Sequence, residues 1–207
     1  MRRSGTSNIF RPSPNQRRVM YVSGSTPDIV RVILYADSRS AEFIRPEAVK
    51  HLQGATQRQT LENIFLYVRN NIRYRADAPG HEIVRSPGYL FESGTGDCKS
   101  YSIAIAALCR AFGIQYRFRF SAPTHMHQIQ HVYVVATTAD GKDVYMDAVL
   151  GQFDRQPDHM RKVDIRPGDN SNMAAISGGG AYLLESTITL LALVALLFLF
   201  AKKTTAE

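Results

Sequence analysis

Apolar residues in the middle of the chain change from a helical to a strand spacing at Gly113. Before it, residues 56–74 carry apolar side chains at intervals of three and four, and a second apolar helix runs from Cys98 to Gly113. After it, polar and apolar residues alternate in segments 114–120, 129–137 and 143–149. The order of helix, loop, helix and antiparallel strands predicts an α+β fold with helices packed against one sheet. Residues 19–53 are compatible with either helix or strand.

The chain also contains a long apolar segment that cannot remain in contact with water. Residues 181–201 contain one acidic residue, Glu185, and no basic one. As a helix this segment would measure about 31 Å, the thickness of the hydrocarbon core of a bilayer. It predicts a single-pass C-terminal transmembrane anchor, and a buried core helix is the alternative interpretation.

Two signals compete over the orientation of this anchor. Lys202 and Lys203 favour a cytoplasmic tail under the positive-inside rule, whereas no N-terminal secretion signal is recognised ahead of the domain. A tail anchor that inserts after synthesis leaves the preceding domain in the cytoplasm, and we predict this orientation.

The first 18 residues, MRRSGTSNIFRPSPNQRR, are basic and rich in Ser and Pro. They predict a flexible arm that is either simply solvated or in contact with an anionic surface. The arm carries five arginines and no acid, so only +2 of the net charge of +7 belongs to the rest of the chain. This small charge argues against specific nucleic-acid binding.

The predicted organisation has five parts. They are a basic flexible arm (1–18), a globular domain (19–166), a Gly/Ser-rich linker (167–180), the transmembrane helix (181–201) and a short tail (202–207). Two cysteines in 207 residues are too few for a disulfide-stabilised secreted scaffold, so a reducing compartment is expected.

Cys98 follows the turn Gly-Thr-Gly-Asp and begins the second helix. Free backbone N–H groups and the helix dipole at this position favour an anion, which promotes a reactive thiolate. The N–H of Cys98 is also suited to form half of an oxyanion hole. Taken alone, a cysteine at a helix start is more often a small buried residue.

His131 and Asp147 lie on two strands that are adjacent in the chain. If Tyr133 pairs with Asp147, the two side chains share one face of the sheet and come within hydrogen-bond reach. This pairing requires a connection of odd length or a bulge, because a strict two-residue turn at Asp140-Gly141 would place them on opposite faces.

Four segments carry a resemblance to a known family. They are YVRNNIRYRAD, SPGYLFESGTGDCKSYSIAIAALCRAFGI, HVYVV and DVYMDAV. In this order they resemble the transglutaminase-like, papain-related superfamily. The resemblance implies a nucleophile at Cys98, a base at His131 and an orienting carboxylate at Asp147. It also implies attack on a carboxamide carbonyl, with the thioester resolved by water or by a second amine.

The sequence departs from this family in several ways. Tyr133 stands where a Trp is common, and the chain has no Trp. No acidic cluster suggestive of calcium sites is evident, and the chain is too short for additional β domains, which argues against the animal cross-linking type. The second oxyanion donor is open, with Tyr89 and Ser93 as candidates.

A metal site would be an alternative use of the same residues. His125, His127 and His131 with Cys98 could form a tetrahedral site, but His-x-His in a loop is a weak signal. We therefore predict no metal and no cofactor. Cys109 lies about 16 Å from Cys98 along the helix, too far for a disulfide, and is interpreted as a core residue.

The sequence thus predicts a membrane-anchored thiol enzyme that acts on peptide or isopeptide bonds, with hydrolysis preferred to cross-linking. The alternative is a catalytically silent binding or structural module at a membrane, such as an envelope or a membrane-containing virion.

Overall fold

The computed structural model describes residues 9–22, 25–78, 81–124, 128–169 and 172–177. The helices are α1 (Thr26–Ser40), α2 (Pro46–Val49), α3 (Gln57–Asn71), α4 (Pro87–Ser93), α5 (Cys98–Ala111) and α6 (Met173–Ser177). The strands are β1 (Val19–Val22), β2 (Arg73–Tyr74), β3 (Glu82–Arg85), β4 (Thr95–Gly96), β5 (Gln115–Ala122), β6 (His131–Thr137), β7 (Asp143–Asp147), β8 (Gln152–Phe153) and β9 (Arg161–Ile165). The predicted α+β class is confirmed.

Helix α5 lies at the centre of the domain. Every residue from Lys99 to Cys109 is buried, and from Ile103 to Cys109 every side chain is apolar. It packs against α1 and α3 on one side and against β5 and β6 on the other. Gly113 follows the helix with a φ of 64°, a left-handed conformation that ends the helix and starts β5.

Five strands form one antiparallel sheet in the order β8-β7-β6-β5-β9. Phe118 pairs with Val134 and Phe120 with Val132, so these apolar side chains share one buried face. Strands β6 and β7 pair from Thr137 opposite Asp143 to Val134 opposite Met146, the register in which Tyr133 and Asp147 are the next pair. Residues 138–142 connect β6 to β7, and this connection of odd length is the one that the same-face arrangement required.

The ambiguous segment 19–53 is mainly helical. Helix α1 begins after Ser25, whose backbone N–H donates to Asp28 Oδ2 at 2.9 Å. Val30 and Ile33 are fully buried, so tertiary packing decides between helix and strand where the local sequence does not.

The structure differs from the predicted flexible arm in residues 9–18. Ile9 and Phe10 are buried, and the Arg11 N–H donates to the Phe43 carbonyl at 2.6 Å. These two side chains are the large apolar exceptions in the basic segment, and their burial extends the folded domain to residue 9. Residues 1–8 lie outside the described residues.

The structure describes part of the predicted linker but not the predicted anchor. Within 167–180, residues 173–177 form α6, which packs against α1 and β9 and buries Ile176, so this part of the linker is folded. The predicted transmembrane segment 181–201 lies outside the described residues. Among the helices that the structure describes, none is long and apolar enough to cross a bilayer.

Candidate active site

Cys98 is the first residue of α5 and is partly buried. The preceding turn is held by the short parallel pairing of β2 with β4, in which the Arg75 N–H donates to the Gly96 carbonyl at 2.8 Å. Asp97 caps the helix, because its Oδ1 accepts from the Ser100 N–H at 3.1 Å. The cap leaves the Cys98 N–H without an intrahelical partner and available to an incoming ligand.

The structure brings His131 and Asp147 together as the predicted register implies. His131 Nε2 lies 2.6 Å from Asp147 Oδ2. The Asp147 side chain is only 1% exposed, and its second oxygen accepts from the Leu150 N–H at 3.1 Å. The imidazole is therefore anchored through Nε2, which leaves Nδ1 for a second partner.

Cys98 lies close enough to His131 to influence its protonation. Burial lowers the pKa of His131, but the hydrogen bond with Asp147, the interaction with the Cys98 thiol and the charges of both residues raise it to about 10. His131 is consequently an imidazolium at neutral pH, positioned between a buried carboxylate and a thiol.

Ser102 is a further residue of the site that the sequence did not single out. Its hydroxyl oxygen lies 2.8 Å from the Cys98 carbonyl oxygen and 3.0 Å from that of Val132. It therefore joins the first turn of α5 to the beginning of β6, where His131 stands. No periodicity distinguishes Ser102 from the other small residues of the helix.

The two candidates for a second oxyanion donor have other partners. The Ser93 hydroxyl donates to the carbonyls of Leu90 and Thr95, and the Tyr89 ring lies under the Arg18 guanidinium at 5.3 Å. Tyr74 is better placed. It pairs with Gly96, two residues before Cys98, and its side chain is half exposed.

The charge of Cys98 also influences Tyr74. Partial burial and the negative charge of Cys98 both raise the pKa of Tyr74, so its hydroxyl remains a proton donor at neutral pH. The residue lies inside the quoted segment YVRNNIRYRAD. The sequence signal for Tyr74 would have been a tyrosine in a short strand that pairs with the turn before Cys98.

An acidic cluster lies beside Cys98, although none was expected. Oxygen atoms of Asp77, Glu82 and Asp97 all lie within 4.8 Å of one another, with the Lys99 ammonium bound to all three side chains. The three acids are separated in the sequence, so their association in space cannot be predicted from it.

The alternative metal site is only partly represented. His131 and Cys98 come together, whereas His125 and His127 lie outside the described residues. Both cysteines are free. Cys109 is fully buried, as predicted, and burial raises the pKa of its thiol to about 12, so it is an unreactive core residue.

A thiol at a helix N-terminus, an imidazole and a buried carboxylate define the arrangement found in thiol enzymes of the cysteine–histidine–aspartate class. Residues 47–148 match the family model described as the transglutaminase-like superfamily. This match covers just under half of the chain and agrees with the resemblance that the four sequence segments carry.

Several solved structures are similar to this chain. A proposed protease from Parabacteroides distasonis is 19% identical, with 56% of this chain and 26% of that chain covered and a TM-score of 0.44. A proposed cysteine protease from Cytophaga hutchinsonii is 15% identical, with 61% and 39% covered and a TM-score of 0.36. LapG from Legionella pneumophila is 12% identical, with 71% and 94% covered and a TM-score of 0.44.

These similarities concern the fold alone. The chain spans about a quarter and two fifths of the first two proteins. A search of curated proteins finds no significant match to the chain.

The raised pKa of His131 gives the stability of the protein a defined pH dependence. Its value rises on folding from 6.5 to about 10, so proton binding stabilises the folded state fully below pH about 6.5. This contribution is lost as the pH rises through about 10. We expect the stability advantage of the wild type over His131→Gln to be largest at pH 6 and smallest at pH 10. Urea unfolding at both pH values measures it, and an advantage that does not change with pH would contradict the assignment.

Proposed function

We propose that the protein is a thiol enzyme that acts on peptide or isopeptide bonds, with hydrolysis preferred to acyl transfer. The observation that carries this proposal is the 2.6 Å contact between His131 and the buried Asp147, next to Cys98 at the start of α5. A buried carboxylate can fix the tautomer and the charge of a neighbouring imidazole. Beside a thiol, this arrangement serves to generate a thiolate nucleophile.

The first half of the reaction forms a thioester. The thiolate sulfur of Cys98 attacks the carbonyl carbon of the amide, and the carbonyl oxygen takes up negative charge. His131 Nδ1 then gives its proton to the leaving nitrogen, the C–N bond breaks and an amine departs. Asp147 keeps the ring in position throughout.

The second half resolves the thioester. Neutral His131 removes a proton from water, the oxygen attacks the carbonyl carbon, and the C–S bond breaks to give a carboxylic acid and the thiolate. His131 is again an imidazolium at the end of the cycle. The His131 side chain is 18% exposed and Cys98 is partly exposed, so both remain accessible to water. This access supports hydrolysis, and an amine in place of water would give acyl transfer.

Two donors are suited to the oxyanion that forms in both halves. One is the Cys98 N–H, which has no helical partner, and the other is the Tyr74 hydroxyl across the β2–β4 pairing. A phenol supplies a hydrogen bond at this place without a further positive charge beside the thiolate.

Cys98 and Cys109 provide a matched pair for testing the nucleophile. We expect iodoacetamide to modify Cys98 rapidly even below pH 7, because the imidazolium of His131 favours the thiolate. The reaction should be lost in Cys98→Ser, slow strongly in His131→Ala and persist in Cys109→Ser, whose thiol is buried. Mass spectrometry of the alkylated protein locates the label, and digestion of fluorescein-labelled casein by the same variants measures amide hydrolysis.

The alternative function, a silent binding or structural module, predicts a different result. Cys98 would then be alkylated only above about pH 8, as an ordinary thiol is, and with the same rate in His131→Ala. Such an outcome would overturn the proposal of an enzyme.

The role of Tyr74 can be separated from a general structural effect. In Tyr74→Phe we expect acylation by p-nitrophenyl acetate to slow about a hundredfold, because that reaction passes through an oxyanion. Alkylation by iodoacetamide forms no oxyanion and should keep its rate. Tyr21→Phe, at a tyrosine that is 75% exposed, is the matched control. Equal losses in both reactions would show that Tyr74 acts only through the fold.

We further propose that residues 181–201 anchor the protein in a membrane with the domain on the cytoplasmic side. The support is the length and apolar character of the segment. In the full chain, Leu193→Asp with Leu197→Asp should abolish flotation with phosphatidylcholine vesicles, since each buried acid costs about 3 kcal/mol. Leu66→Asp, at a surface position of α3, should float like the wild type. Flotation that survives the double substitution would exclude the segment as the anchor.

A further inference from the structure

Lys99 is a buried cation directly next to the proposed nucleophile. Its side chain is 8% exposed and its ammonium lies 2.5 Å from Glu82 and 3.3 Å from Asp77, and it also contacts Asp97. A lysine is almost never buried to this degree unless it is paired. Here it is paired with three acids from three segments of the chain, which the mechanism proposed above does not use.

The three carboxylates would repel one another without a cation between them. Their oxygens lie within 4.8 Å of one another, a spacing of the kind that divalent metal ions bridge in proteins. Arg85 balances part of the charge through its contact with Asp77 at 3.2 Å. The cation that all three acids share is the Lys99 ammonium.

The charge state of Lys99 agrees with this arrangement. Burial lowers the pKa of the ammonium, but the charge and hydrogen bond of Asp97, the hydrogen bond of Glu82 and the charge of Cys98 raise it above its ordinary value. Lys99 therefore remains a cation throughout the pH range in which proteins work. Cys98 is among the negative groups that act on it, so the ammonium is also electrostatically close to the thiolate.

The cluster is connected to the backbone that carries Cys98. Asp97 accepts from the Ser100 N–H, and the Ser100 hydroxyl accepts from the Arg85 N–H at 3.2 Å. Asp77 accepts from the Ile83 N–H at 2.7 Å. Through these bonds the acids join the loop after β2, strand β3 and the cap of α5. Their mutual repulsion would act on the turn that positions the Cys98 sulfur and N–H.

We propose that Lys99 is a positioning residue for Cys98. Its ammonium holds the carboxylates of Asp77, Glu82 and Asp97 together and thereby fixes the start of α5. A chain without this lysine would need a divalent metal ion at the same place. The inference rests on the proposed role of Cys98 as a nucleophile and deepens it.

The test compares Lys99→Met with the wild type in EGTA and in millimolar CaCl2. Two quantities are measured on the full chain, the rate of Cys98 alkylation by iodoacetamide at pH 6.5 and the melting temperature. In the wild type neither should depend on calcium. In Lys99→Met we expect alkylation in EGTA to slow about tenfold, since three carboxylates then disfavour the nearby thiolate, and the melting temperature to fall. Calcium should restore both.

Two controls separate this role from a loss of packing. Lys142→Met removes an exposed lysine that pairs with Asp140, and it should change neither quantity. Lys99→Met combined with Asp77→Asn and Glu82→Gln removes the repulsion together with the cation. This triple variant should recover the melting temperature in EGTA and lose the response to calcium. The triple variant also tests the proposal if Lys99→Met alone does not fold. A triple variant that likewise fails to fold would contradict a role of Lys99 based on charge.

Two other results would overturn the proposal. One is a wild-type protein whose alkylation rate or melting temperature depends on calcium, and the other is a Lys99→Met protein that reacts at the wild-type rate in EGTA. Neither measurement requires a substrate. An absence of casein hydrolysis would count against the proposed enzyme function, whereas the comparison of calcium with EGTA addresses Lys99 independently.

Discussion

The burial of α5 is the constraint on which the rest of the structure depends. From Ile103 to Cys109 the helix carries only apolar side chains, so it must be enclosed, and α1, α3 and the sheet pack around it. A helix that is buried along its length still has an N-terminus with unpaired N–H groups. The fold satisfies them with the Asp97 cap and leaves the Cys98 N–H at the place where the chemistry is proposed. The position of the thiol therefore follows from the packing of the core.

Two positive groups with separate counterions flank the Cys98 thiol. His131 shares its charge with Asp147, at the ends of two neighbouring strands, while Lys99 shares its charge with three acids at the start of the helix. The two networks have different carboxylate counterions, but the charge of Cys98 raises the pKa of both His131 and Lys99, so the thiol links them.

The features of the site that could be predicted from the sequence are those that follow from the spacing of apolar residues in helices and strands. Alternation along β6 and β7 places His131 and Asp147 on one face, and the helix start identifies Cys98. Tyr74, Ser102 and the acids around Lys99 could not be predicted in this way, because their association depends on how loops and short strands approach in space. The burial of Ile9 and Phe10 within the predicted flexible arm escapes sequence analysis for the same reason, since it depends on contacts with residues 43–45, far along the chain.

The Ser102 hydroxyl between the carbonyls of Cys98 and Val132 has a consequence for how proteins of this design can diversify. Because Ser102 is buried, the backbone of Cys98 is tied to the strand of His131 from inside the core. Substitutions in the surface loops can then accumulate while Cys98 and His131 keep their alignment. The interior holds this geometry constant, and the periphery is free to evolve.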